Sequence, residues 1–275
     1  MIVDKNRLKS VISYTFVTLI ATNMDKKSSA SLRWITLFII VLNIAFNYFY
    51  MALIDQPSMG EVSGKYPSLF TPAGYAFSIW GLIYCSFLFF SIVQLKRTRL
   101  EKTAYNRLSV PLLISNILAA LWIVVFTKEL FTLSVVIMSI LLLLSVRMFV
   151  VAASAYFRHR HNWWIQLPFS LFCGWLSVAF FANLAVLIAY EQGKENEVLT
   201  LLFIALAVIA AMLVGIRFRN PVYPLVVAWA VFAIWIARKG DHPGVAYTAL
   251  AASLLSILAC FAALYRLKSS PSLRR

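Results

Sequence analysis

The chain has 275 residues, of which 62% are apolar and only 13% charged, with a mean hydropathy of +0.83. A water-soluble domain carries about a quarter charged residues, and so little charge cannot cover one core with polar surface. The excess of Lys and Arg gives a net charge of +15, the usual footprint of a phosphate-binding surface. In a membrane chain the same excess collects in cytoplasmic loops and sets orientation instead, so a nucleic-acid partner is not expected.

Crossing a bilayer takes roughly 20 apolar residues. Eight stretches qualify or nearly so: 34–54, 73–95, 110–126, 130–155, 165–190, 198–216, 222–237 and 244–265. The third and seventh are the shortest. Pro72, Pro111, Pro221 and Pro243 fall at or just before span starts, where a missing N–H costs little. Long uninterrupted apolar runs satisfy their backbone as helices and lack the alternation of a transmembrane barrel. The expected fold is therefore all-α: a polytopic membrane bundle of about eight helices.

The basic residues test that model, because hydropathy takes no account of sign. The leader holds Lys5, Arg7, Lys9, Lys26, Lys27 and Arg33, and the next loop only Lys65. Lys96, Arg97, Arg99, Lys102 and Arg107 follow, then only Lys128. The alternation continues to the C-terminus and splits the cations 20 to 5, with Arg238 and Lys239 on the sparse side. Both termini are expected to be cytoplasmic. The apolar run 11–21 has the length of a signal-peptide core, but no small-residue cleavage pattern follows it. Residues 1–33 read as a basic cytoplasmic leader and 267–275 as a basic tail.

All ten acidic residues lie outside the spans, which argues against ion-coupled transport through carboxylates at membrane depth. His159 and His161 belong to a basic run that reads as a solvated anchor, and Cys85, Cys173 and Cys260 sit singly in apolar runs as core thiols. No phosphate loop, nucleophile elbow or HExxH pattern is present, so neither an enzyme nor a metal site is expected. Arg147 is the one charge inside a span. It either snorkels to the interface or faces the bundle to hold an anionic group.

Aromatic residues are the distinctive content. Trp34, Trp163 and Trp164 sit at span ends beside basic residues, as an interfacial belt does. Trp80, Trp122, Trp175 and Trp229 fall inside spans, where an indole N–H needs a partner, and together they could wall a pocket for a flat ligand. Asn43, Asn47, Asn116 and Asn183 are costly in lipid unless bonded between helices; helix glue is their default role.

Residues 67–84, PSLFTPAGYAFSIWGLIY, resemble the signature of the TspO/MBR family, the tryptophan-rich sensory and translocator proteins of the peripheral benzodiazepine receptor type. Pro67, Pro72, Trp80 and Tyr84 keep the family spacing. Trp122 and Phe126 match its third span, and Trp175, Ala179 and Asn183 its fifth. Leu69 and Gly74 stand where the family has tryptophans, Ala76 where it has Phe, and Asn116 and the pair Pro168–Phe169 come about one turn early.

The resemblance covers residues 34–190 as a five-helix bundle and leaves 191–266 as three additional helices. It implies a receptor or sensor that binds a small aromatic or lipophilic molecule, with porphyrins and other tetrapyrroles favoured, and that forms a homodimer in the cytoplasmic membrane of a bacterium. Ile79, Trp80, Trp175, Ala179 and Asn183 would line the pocket, with Tyr84, Trp122 and Arg147 as further candidates. Trp80 and Trp175 would stack on the ligand, Ala179 would leave room and Asn183 would offer a hydrogen bond. The loop 55–71 would form a lid on the non-cytoplasmic side. An exporter of a lipophilic compound is the alternative.

Overall fold

The computed structural model describes residues 30–53, 57–96, 102–158 and 163–269. Among them every regular element is helical: α1 (Ala30–Leu53), the short α2 (Met59–Gly64), a 3₁₀ turn (Gly74–Ser78) leading into α3 (Ile79–Lys96), α4 (Lys102–Thr127), α5 (Phe131–Arg158), α6 (Trp163–Gln192), α7 (Glu197–Phe218), α8 (Val222–Arg238) and α9 (Pro243–Lys268). Most of the leader, residues 1–29, lies outside the described residues with His159, His161 and the tail from residue 270.

Seven of these helices are long and apolar enough to cross a membrane. The eighth, α8, is apolar but has only 17 residues, about 25 Å at 1.5 Å per residue. Its neighbours bury one face of it, where Val227, Ala230, Val231, Ala233 and Ile234 are fully buried, while Leu225 and Trp229 stay exposed. Pro221 caps α8 and Pro243 opens α9, as their sequence positions suggested. Pro111 does not: it lies inside α4, which begins at Lys102 and runs 26 residues. The charged and polar first turns of α4 stay helical outside the apolar run, so hydropathy alone cut this helix short.

Five helices close into a ring in the order α1, α3, α6, α5, α4. The remaining three, α7, α8 and α9, pack on one another and dock on α6 through α8 and, to a lesser extent, α7. Small residues permit these approaches, of α8 to α6 and of α7 to α8. A Cβ added at Gly174 of α6 would come within 3.0 Å of the Val226 side chain, and one at Gly215 of α7 within 3.2 Å of Pro224. Polar contacts fix the register, with Asn220 donating to Ser170 at 2.7 Å and Tyr223 to Ser177 at 2.9 Å. Asn220 also accepts from the Tyr223 N–H at 2.9 Å and so begins α8.

The asparagines do act between helices. Asn43 of α1 donates to Asn116 of α4 at 2.9 Å, and Asn47 donates to the Asn43 side chain at 2.9 Å. The Tyr84 hydroxyl of α3 joins both Asn43 and Asn47, so one polar cluster binds three helices in an otherwise apolar interior. Arg33 departs from its expected place in a solvated flank. It is buried in α1 and donates to the Gln94 carbonyl at 3.0 Å and to Asn106 at 2.7 Å, closing the same three helices at their opposite end.

Candidate ligand cleft and its lid

A narrow cleft of only about 30 Å³ lies between α4 and α6, beneath the segment that joins α1 to α3. Trp122 and Phe126 form the α4 wall, stacked with ring centroids 5.0 Å apart. Trp175, Val178, Ala179, Ala182, Asn183 and Val186 form the α6 wall. These positions recur at three- and four-residue intervals, which is one face of a helix. Phe77 closes the cleft from the 3₁₀ turn, its ring edge-on to Trp175 at 5.9 Å.

Of the residues proposed from sequence, Trp122, Trp175, Ala179 and Asn183 come together here. Trp80 and Tyr84 do not line the cleft: they stack on each other at 5.4 Å, and Trp80 meets Phe172 edge-on at 6.2 Å. Tyr84 belongs to the asparagine cluster. Ile79 is buried behind Phe77 in sequence and faces a different, apolar groove with Leu82, Leu225 and Trp229. Arg147 is half-buried on α5, about 20 Å along the helix axis from Ser134, whose hydroxyl meets Asn183. It is not part of the cleft wall.

Sequence reasoning passed over Phe77, Val178, Ala182 and Val186. The last three were legible as continuations of the Trp175, Ala179, Asn183 stripe. Phe77 was not, because its direction depends on the 3₁₀ turn.

Two polar groups of the wall matter chemically. The Asn183 amide donates to Ser134 at 3.0 Å, so one of its two N–H groups is engaged in holding α6 to α5. The indole N–H of Trp122 is buried with no acceptor among the described residues. Trp229, by contrast, has found one, the Ala76 carbonyl at 3.2 Å.

The segment above the cleft is built rather than loose. Ser58 and Glu61 form a capping box that starts α2, with Ser58 N donating to Glu61 at 2.6 Å and Glu61 N to Ser58 at 3.1 Å. The bonds to Ser58 hold the Glu61 carboxyl below the usual range. On one side Lys65 and Tyr66 bind the two oxygens of Glu129 at 2.6 Å each. Hydrogen bonds from both hold Glu129 below its ordinary carboxylate range, while desolvation and then Glu129 push the Tyr66 hydroxyl up to about 12. Glu129 turns the chain from α4 to α5 with φ +59°, a left-handed conformation that aims its carboxylate at the lid.

On the other side α8 holds the same segment at three places. Trp229 bonds Ala76, the Ala233 carbonyl accepts from the Ala73 N–H at 3.1 Å, and Arg238 donates to the carbonyls of Ser68 at 2.9 Å and Leu69 at 3.2 Å. Phe70 plugs between Phe181 of α6 and Phe203 of α7. The last three helices, through α7 and α8, are therefore part of the lid's support. Asp55 and the rest of 54–56 lie outside the described residues.

No curated protein and no solved structure matches the chain. A family model described as TSPO-like protein matches residues 33–262, through the ring, α7 and α8 and into α9, well beyond the residues that carry the sequence resemblance. With a ring of five helices, a lid between the first two and a match across most of its length, the chain belongs to the TSPO-like family of membrane proteins.

Proposed function

We propose that the protein is a multi-pass membrane receptor or sensor that binds a small aromatic or lipophilic molecule, with tetrapyrroles the favoured class, in the cleft between α4 and α6. One observation carries this reading: rings of Trp122, Phe126, Phe77 and Trp175 face a common space against the small side chains of Ala179 and Ala182. Apolar walls with few polar groups are what a ligand of this kind requires, and because a cleft of about 30 Å³ holds little more than a water, α4, α6 and the lid part to admit it. The unmatched indole N–H of Trp122 supplies a polar anchor, since a buried donor without an acceptor costs about 1–3 kcal/mol that a bound acceptor removes.

The distribution of charge supports a membrane orientation with the lid on the non-cytoplasmic side of a cell membrane. The described acidic residues, Glu61, Glu129, Glu191, Glu195, Glu197 and Asp241, belong to the lid and the connections at its end of the bundle. Arg217, Arg219, Arg266 and Lys268 close helices at the opposite end.

Titration of the purified full-length protein with a porphyrin tests the function. Saturable quenching of Trp fluorescence is expected, weakened at least tenfold by Trp175→Ala. Non-saturable quenching, identical in the two proteins, would defeat the proposal.

A further inference from the structure

The lid separates two spaces of opposite character. Below it is the apolar cleft. Above it is a polar vestibule of about 370 Å³, walled by Lys65, Tyr66, Ser68, Glu195 and Arg238. Ser63 borders both spaces and is buried, so the partition between them at this point is the lid segment itself.

That partition hangs between two supports of different strength. The Glu129 side is tied by Lys65 and Tyr66 in an exposed setting, with the Lys65 side chain 51% exposed. On the α8 side the bonds are to lid carbonyls that are themselves buried, those of Ser68 and Leu69. A guanidinium has five N–H donors in a fixed fork, and a charged donor makes a hydrogen bond roughly twice as strong as a neutral one. Arg238 uses this fork to grip two consecutive carbonyls about 170 positions away in sequence. Its only carboxylate contact among the described residues is a longer one, 3.4 Å to Asp241. A cation whose best bonds go to a lid backbone, when carboxylates stand nearby, is holding that backbone in place.

We propose that Arg238 is the latch of the lid: a positioning residue, supplied by the three added helices, that closes the passage from the polar vestibule through Ser63 to the cleft. The other two α8 contacts lie farther along the segment, at Ala73 and Ala76, and keep it attached when Arg238 lets go. The lid then opens at Pro67–Leu69, between the Glu129 ties at Lys65 and Tyr66 and the α8 ties at Ala73 and Ala76, and a ligand reaches the cleft from the aqueous face instead of through the surrounding lipid. This rests on the cleft as the ligand site, but its test needs no ligand.

The test uses the full-length protein in lipid nanodiscs with Ser63→Cys, a near-isosteric change, and a charged, membrane-impermeant thiol reagent, with modification read residue by residue by mass spectrometry. Arg238→Gln should raise the rate at position 63 tenfold or more, and Arg238→Lys, which keeps the charge but loses the fork, by less. Cys173, buried against α8, should stay unmodified throughout. A rate at position 63 within twofold of the Arg238 protein overturns the proposal, as does Cys173 becoming reactive in parallel, which would mean that the bundle has come apart. Amide hydrogen exchange at Ser68–Phe70 repeats the test without the added cysteine: faster exchange confined to that segment in Arg238→Gln supports the latch, and unchanged exchange overturns it. Porphyrin titration of the unmutated protein fails independently of either readout.

Discussion

Tyr66 donates its hydroxyl to Glu129 at 2.6 Å, and with the Lys65 bond to the other oxygen it joins the lid to the turn between α4 and α5. Its dependence on pH follows from the two groups. The Glu129 carboxyl is held low, so its contribution is present above the ordinary carboxylate pKa and is lost as pH falls through the depressed value. The Tyr66 hydroxyl is pushed up to about 12, so its contribution is complete below the ordinary tyrosine pKa near 10 and is lost as pH rises through about 12. Hydrogen exchange at residues 62–66, corrected for its intrinsic pH dependence, should therefore stay slow from about pH 5 to 9 and quicken in acid below the usual carboxylate range. Glu129→Gln should remove the acid step at Lys65 and Tyr66, leaving the part at Val62–Gly64 that follows the Glu61 capping box.

Filling the cleft should weaken binding without unfolding the bundle. Ala179 is partly buried on the α6 wall, facing the empty space. Ala179→Val, small enough for the narrow cleft, should weaken porphyrin binding severalfold or more, with a melting temperature within a few degrees of the parent. Trp80→Ala should do the reverse, lowering the melting temperature through the lost stack on Tyr84 while leaving affinity within about threefold.

Trp122→Phe separates the anchor from the wall. A six-membered ring is kept, while the unmatched N–H goes together with the five-membered ring, so relief of the orphaned donor offsets only part of the packing lost at this buried position. Affinity should fall for a ligand that carries a hydrogen-bond acceptor and hold for a flat hydrocarbon of similar size. Fluorescence quenching by the two compounds decides the matter.

The asparagine cluster should show measurable coupling. Replacing Asn43 and Asn116 by Leu, singly and together, should give an interaction energy of about 0.6–1.7 kcal/mol, the range found for hydrogen bonds between membrane helices. Reversible unfolding in detergent measures it, and a value near zero would mean that the cluster merely satisfies its own polarity.

Gly174 tests the attachment of the three added helices. A larger side chain there meets the Val226 side chain and the Tyr223 carbonyl at 3.0–3.2 Å, so Gly174→Leu must push α8 from α6. The expected result is a lower melting temperature together with faster exchange at Ser68–Ala76, because the same helix carries the lid contacts. Loss of stability with an unaltered lid would separate the two.

Sequence determined a great deal here because a bilayer imposes simple rules. Apolar runs of this length become helices, so the eight hydrophobic helices were legible, apart from the polar extension of α4 past Pro111. The stripe Trp175, Ala179, Asn183 was legible because helical spacing puts those residues on one face whatever surrounds them. What only the tertiary structure decided was which elements face each other. Trp80 keeps its family spacing yet turns to Tyr84 and Phe172 instead of the cleft. Arg238 looked like one misplaced charge on the sparse side of the count, and becomes the lid's anchor only when α8 packs against residues 68–76. Spacing along a helix is a local property, set by 3.6 residues per turn, whereas the rotation of each helix and the course of the chain between helices are set by packing among segments far apart in sequence.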